Sequence, residues 1–266
     1  MNTLSTNPPV ILDLDGPVAT IRFNRPQSLN ALDLDGFRAF GDAVARLGEY
    51  EGLRAVVIRG EGKAFMVGAD LTAVTADIDH AAETVGAMID VLHPAIIALG
   101  QLPVPVIAAA QGAVAGAGLS LMMGCDFTVA DENTRFSLAY SRIGASLDGG
   151  GSWMLPRIVG RRKALQIALL ADPFDAATAL RLDLVDEVAP HDEFEAVLGR
   201  WCDRLANGPT HSYGRIKALL AASSTNDLPT QLDAERAAFL SCAGTDDFRE
   251  GVTAFVEKRP AQFQGR

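Results

Sequence analysis

Cysteine is scarce, and its three copies, Cys125, Cys202 and Cys242, are scattered along the chain. Their number and spacing argue against a disulfide framework and a paired-cysteine metal site, so a reduced, cytoplasmic setting is expected. Positive charge is also short. There are 23 Lys and Arg against 33 Asp and Glu, a net charge of −10, which argues against nucleic acid or an anionic membrane as the main partner. An anionic small ligand would need a local basic cluster. The amino terminus, MNTLSTNPPVILDLD, lacks a basic region followed by an apolar core, so no secretory signal is expected. Charge disappears altogether from Pro94 through Cys125, a run longer than a membrane span requires. Yet Pro94, Pro103, Pro105, Gln101, Gln111 and many glycines interrupt it. Two buried elements of a soluble chain explain it better than one spanning helix.

What is present centres on VPVIAAAQGAVAGAGLSLMMGC, Val104–Cys125. It reads as a fully buried strand, a tight turn at Gln111-Gly112, and a buried helix launched by Gly116-Ala117-Gly118. Without side chains, Gly116 and Gly118 let the backbone bend and other groups approach. The first N–H groups of a helix have no partner inside it and sit at its positive end, where a developing negative charge is stabilised. Tight packing alone would also account for such a unit. It is no phosphate loop, since Gly112 to Ser120 lacks the lysine–hydroxyl pair. Nor is it a dinucleotide fingerprint, since Leu121 stands where the third glycine would fall.

With 266 residues, 48% of them hydrophobic, the chain can bury one sizeable core. Val10–Asp15 and Val18–Phe23 read as a hairpin about Asp15-Gly16-Pro17. A helix is expected from about Asp33 to Leu47, then a short buried strand at Ala55–Arg59 and a glycine-rich loop over Gly60–Gly68. Thr72 to about Glu83 is small, polar and acidic without firm period, and suggests a mobile lid. A helix over Ala82–Leu99 leads into the central strand. Further strands are expected at Phe127–Ala130, Arg135–Leu138 and Val185–Val188, with helices near Ser152–Val159, Arg162–Leu170 and Ala176–Leu182. From Asp192 the pattern is helical to the end, broken at Gly208-Pro209. Periodicity alone gives an α/β class, with no internal repeat.

Several spaced segments together carry a family resemblance: FNRPQSLNAL at Phe23–Leu32, GKAFMVGADL at Gly62–Leu71, PVIAAAQGAVAGAGLSLMMGCD at Pro105–Asp126, GGGSWMLPRIVGRRKA at Gly149–Ala164, and DDFREGVTAFVEKRP at Asp246–Pro260. In this order they resemble the crotonase, or enoyl-CoA hydratase/isomerase, superfamily over nearly the whole chain. The resemblance implies a crotonase-type spiral of β-β-α turns over residues 1–205. A helical carboxy-terminal region over 206–266 would build a homotrimer or a dimer of trimers. It implies an acyl-CoA thioester as substrate, with no nucleic-acid or membrane partner and no metal, nicotinamide or flavin cofactor. By motif position, the two main-chain N–H groups that hold the thioester oxygen fall on Ala69 and Ala117. Arg25, Ala31, Phe255 and Lys258 match positions near the coenzyme, the last two contributed within or between subunits. Arg25 is equally a plausible solvated turn residue.

The hydratases of the family place two glutamates about the substrate double bond, and here those positions are Ser120 and Tyr140. What remains is Asp148, in YSRIGASLDGGGSW, where isomerases and aryl-CoA dehalogenases of the family carry an aspartate. The run after it looks most like the ring-epoxide isomerase of phenylacetyl-CoA degradation. The resemblance therefore implies a double-bond isomerase with Asp148 as single acid/base and Tyr140 as a pocket wall. Alternatives are a hydratase or lyase using Asp148 with Tyr140 or Ser120, a dehalogenase-like nucleophile, and a non-catalytic acyl-CoA-binding scaffold. Asp148 would otherwise cap the following helix. Met66, Val67, Leu147 and Trp153 are expected to wall a dry pocket, in which a carboxylate becomes a stronger base. Asp70 and Asp126 are expected to cap or pair, and His80, His93, His191 and His211 to be solvated outside the site.

Overall fold

The computed structural model describes residues 8–266. In chain order the elements are β1 (Val10–Asp15), β2 (Val18–Phe23), α1 (Leu34–Glu49), β3 (Ala55–Gly60), β4 (Ala64–Met66), α2 (Leu71–Thr75) and α3 (Ala81–Gln101). Next come β5 (Val106–Ala110), β6 (Ala113–Ala115), α4 (Ala117–Met123), β7 (Phe127–Asp131), β8 (Arg135–Ser137) and α5 (Gly151–Leu170). Then follow β9 (Phe174–Asp175), α6 (Ala176–Arg181), β10 (Glu187–Ala189), α7 (Phe194–Ala206), α8 (Thr210–Ala222), α9 (Leu228–Ala243) and α10 (Asp246–Glu257).

From β3 to β8 successive strands alternate between two sheets. One runs β1-β2-β3-β5-β7-β10 and the other β4-β6-β8-β9. Pairs β3–β5–β7 and β4–β6–β8 are parallel, so each β-β-α unit advances one strand in both sheets. This is the spiral of β-β-α turns that the resemblance implies. The larger sheet is buried on both faces, and the period-2 geometry of a strand sorts its residues between them. Val56 and Ile58 of β3, with Val106, Ala108 and Ala110 of β5, face the spiral core. Ala55, Val57, Ile107 and Ala109 face α7, where Phe194, Val197, Leu198 and Leu205 close the second core. A strand buried on both faces needs small or β-branched residues throughout, which is why β5 reads VIAAA.

The hairpin β1–β2 has the expected bounds. Gly160, with φ +75°, bends α5 between the two helices expected there. Two expectations are corrected. Residues 72–83, which show no firm period, are largely helical: they hold most of α2, a 3-10 turn at Ile78–His80 and the start of α3. The last strand begins two residues later than Val185, because Leu184 and Val185 are buried in the core and Asp186 bonds the Thr128 N–H through its side chain. The helical stretch 78–101 is long and apolar enough to cross a membrane, but it folds back here to bury Met88, Leu92, Ala95 and Leu99.

The two sheets meet at tight backbone contacts. Asn30, fully buried and at φ +60°, donates from Nδ2 to the carbonyls of Glu61, Ala64 and Phe65. It thereby holds the loop between β3 and β4. Asp126 accepts from the Val106 N–H and from Lys217 Nζ, tying α8 to the start of β5. At Gly112, φ is +59° and a Cβ would lie 1.7 Å from the Lys63 carbonyl oxygen. Gly112→Ala should therefore lower stability by at least about 2–3 kcal/mol, the left-handed strain plus the collision. Gly48→Ala, exposed in α1 with nothing within 4 Å, should raise it by about 0.5–1 kcal/mol. Parallel denaturant melts check both signs.

Candidate active site

Two turns bring main-chain nitrogens to the mouth of the spiral. In the first, the Leu32 N–H donates to the Gly68 carbonyl and the Asp70 N–H to the Leu32 carbonyl, at 2.9 and 2.8 Å. Ala69 lies between these bonds, and a residue so placed in a parallel bridge turns its own N–H away from the partner strand. Asp70 then caps α2, accepting from the Thr72 N–H, and pairs with Arg25 at 3.0 Å. Burial works against the Asp70 carboxylate, but bonds from Thr72 and Arg25 outweigh it and hold its pKa below the ordinary value. Asp70 is thus a structural cap and pair, as expected.

In the second turn Gly116, at φ +52° and ψ −127°, reverses the chain into α4. Gly118 lets α4 seat on β4, for a Cβ there would fall 2.1 Å from the Met66 carbonyl oxygen. A Cβ on Gly68 would in turn stand 3.1 Å from the Ala117 nitrogen. The two turns therefore abut, and glycine is what permits it. Neither the Ala69 nor the Ala117 N–H has an acceptor among the described residues.

Opposite these turns a cavity of about 320 Å³ opens, and Ala69, Ala117, Tyr140 and Asp148 all line it. Its walls are apolar: Val85, Met88, Ile89 and Leu92 form one stripe of α3, facing Val67 and Leu147. Met66 is buried behind the wall rather than in it. Trp153 is half exposed, under the Arg157 guanidinium 3.9 Å from its ring centre, and does not line the cavity either. Ser120 is fully buried and outside the lining, so it is no water or substrate contact.

The Tyr140 hydroxyl donates to the Asp148 carbonyl, and the Ser120 Oγ lies 3.2 Å from it. Since a phenol has one proton to give, the serine donates to the tyrosine. The two side chains at the hydratase glutamate positions are thus bonded to each other. Burial pushes the Tyr140 phenol up to about 12, against the opposing bond to Ser120.

Asp148 does not cap α5, whose N-cap is Gly150 with no side-chain bond. Its carboxylate instead meets His93 of α3, with Nε2 2.7 Å from Oδ1. His93 is therefore part of the site, not a remote solvated residue. It borders the apolar stripe of α3, four residues after Ile89, and that periodicity was the available signal. Nor is the pocket sealed: the Asp148 side chain is 27% exposed. Of the other histidines, His80 meets Asp77, His191 meets Asp131 and His211 meets Ser241, none at the cavity.

The positions matched to coenzyme contacts do not gather at the cavity within one chain. Arg25 is held by Asp33 and Asp70 and donates to the Ala31 carbonyl. Ala31 is buried beneath it. Phe255 is 85% exposed on α10, and Lys258 closes that helix at φ +56°.

Comparison with known proteins settles the family. The Enoyl-CoA hydratase/isomerase profile matches residues 14–266. The chain belongs to the crotonase, or enoyl-CoA hydratase/isomerase, superfamily. Within it, the chain is 32% identical to the 1,2-epoxyphenylacetyl-CoA isomerase of Escherichia coli, covering 97% of this chain and 98% of that one. It is also 32% identical to the crotonyl-CoA hydratase of Syntrophomonas wolfei, over 96% and 97% of the two chains. A solved enoyl-CoA hydratase from Polaromonas sp. JS666 superposes with a TM-score of 0.89 at 33% identity, over 96% of this chain and 99% of that one. Isomerases and hydratases thus both stand among the relatives of this crotonase, and the choice between them rests on its own side chains.

The raised phenol has a readable consequence. The unfolded chain releases that proton near the ordinary value of 10 and the folded chain only near 12. Raising the pH through this window therefore favours unfolding, so stability should fall from pH 10 to 12. Tyr140→Phe should remove both this fall and the last step of the phenolate absorbance titration.

Proposed function

We propose that this crotonase is an enoyl-CoA isomerase, acting on straight-chain or ring-derived acyl-CoA thioesters with Asp148 as its single acid/base. One observation carries the reading: Asp148 is the only carboxylate among the described residues that line the cavity. Tyr140, the other ionisable group there, keeps its proton to about pH 12 and is committed to the Asp148 carbonyl.

Asp148 takes a proton from the carbon adjacent, or conjugated, to the thioester. The electron pair of that C–H bond moves into the conjugated system and places charge on the thioester oxygen. The N–H groups of Ala69 and Ala117 receive that charge. They are fixed in position before the reaction and carry no side chain that must reorganise. Donors of this kind are worth about 10²–10³ in rate each. The same carboxylic acid returns a proton two carbons along, and the double bond has moved. One base suffices because the proton leaves and returns on one face.

A second reading is favoured by the contact at His93. Water addition needs two proton-handling groups, and Asp148 with His93 would supply them where the two glutamates are replaced. Crotonyl-CoA hydration against migration of a 3-enoyl-CoA separates the readings by product analysis. Asp148→Asn should lower isomerisation by about 10²–10⁴ and leave acyl-CoA binding, measured by calorimetry, within a few-fold. Full activity in that variant would overturn the role.

The helical region 206–266 is the proposed assembly region. Within one chain α9 buries none of its residues. Leu220, Phe239 and Val256 expose 68, 65 and 73% of their surface, and Leu169 of α5 exposes 67% beyond that region. Exposed apolar surface on this scale marks an interface. Assembly as a trimer or a dimer of trimers would bring Phe255 and Lys258 to a neighbouring subunit's coenzyme. Light scattering should give three or six times the 28.1 kDa chain mass, and Leu220→Asp with Phe239→Asp should lower it.

A further inference from the structure

The Asp148 carboxylate stands between two environments. On one side it lines the apolar cavity, and on the other its Oδ1 lies 2.7 Å from His93 Nε2. His93 does not line the cavity, and its side chain is 48% exposed against 27% for Asp148. The helix geometry accounts for the arrangement. Successive residues turn by about 100° around an α-helix, so Leu92 closes the cavity wall while His93 is carried to its rim. The carboxylate is itself partly exposed and Ser146 also lines the cavity, but His93 is the one side chain among the described residues that bonds it, the Tyr140 hydroxyl donating to the Asp148 carbonyl instead.

We infer that His93 is a proton relay between Asp148 and bulk water, so that the abstracted proton is exchanged with solvent during turnover. The inference rests on Asp148 being the acid/base. In the resting pair the ionised carboxylate accepts from Nε2–H. Once Asp148 has taken the substrate proton, the half-exposed ring gives its Nε2 proton to water and takes one at Nδ1, so that Nε2 offers a lone pair. The carboxylic acid passes its proton to Nε2, and the ring releases the Nδ1 proton to water. The reverse sequence delivers a solvent proton to Asp148, and charge and proton number are conserved at each transfer. Imidazole is the side chain suited to both halves, because it gains and loses a proton near neutral pH. A carboxylate walled in on all sides would instead hand back the proton it removed. His93 is thus a positioning and relay residue that touches the carboxylate, and the substrate carbon is served by Asp148.

The test uses the full-length protein in heavy water with a 3-enoyl-CoA thioester, reading deuterium in the product by mass spectrometry. Wild-type product should carry deuterium at the carbon that receives the proton. His93→Gln keeps a hydrogen-bonding side chain but has no titratable nitrogen, and His93→Ala removes the group. Both should go on converting substrate while deuterium per product molecule falls by about tenfold, less than the about 10²–10⁴ of a wholly lost proton-transfer group because Asp148 is itself partly exposed. Added imidazole should restore it in His93→Ala in proportion to its concentration. Unchanged deuterium content in both variants, a wild-type product free of deuterium at that carbon, or loss of conversion that imidazole does not restore would each overturn the relay. Wild-type protein that converts no enoyl thioester would instead overturn the isomerase reading, and the relay with it.

Discussion

The site depends on one backbone contact: α4 sits directly on β4, with Gly118 against the Met66 carbonyl and Gly68 against the Ala117 nitrogen. Any side chain at either glycine would push the two turns apart. Because they touch, two N–H groups from segments nearly fifty residues apart in sequence reach the same cavity without help from a side chain. The spiral produces this contact by advancing both sheets one strand per unit. The turn after β4 therefore lies beside the turn after β6, one strand over. Main-chain groups placed this way are held by the backbone itself and do not depend on the side chains of the residues that carry them.

Against that frame, a few side chains at the rim of the cavity set the surroundings of Asp148. Ser120 and Tyr140 occupy positions where hydratases of the family hold glutamates, and here they satisfy each other at 3.2 Å. Neither change stands alone. Gly149 and Gly151 pack onto Ser120, with a Cβ on Gly151 placed 2.7 Å from its Oγ. A larger side chain at 120 would displace the loop that carries Asp148. The small residue, the glycine run and the aromatic ring thus act together to set the Asp148 main chain, and Tyr140 bonds its carbonyl. His93 then holds the carboxylate from α3 on the opposite wall.

Much of this was legible from residues alone, for identifiable reasons. Glycine spacing marked both turns, because only glycine adopts φ +98° at Gly68 or tolerates the approach at Gly118. A run of small and β-branched residues marked β5, because a strand buried on both faces admits little else. Asp148 stood out as the acidic residue left in a glycine loop. Residues 72–83 misled because α2 is short and takes its place from Asp70 and from packing under α3, not from a period of its own. Trp153 misled because aromatic character says nothing about which way a helix turns its face. His93 went unread because its neighbour is fifty-five residues away, and a place beside the apolar stripe of α3 does not by itself set it apart from a solvated histidine.

The sequence by itself determined the family, the α/β spiral and the two glycine turns that carry Ala69 and Ala117, since each rests on local backbone demands that glycine and small residues write directly into the chain. Only the tertiary structure decided what surrounds the carboxylate: the hydroxyl pair that sets its backbone, the histidine that meets its oxygen, and the apolar stripe of α3 that walls it. Those neighbours come from separate turns of the spiral, and their meeting is fixed by packing distance, which no local pattern encodes.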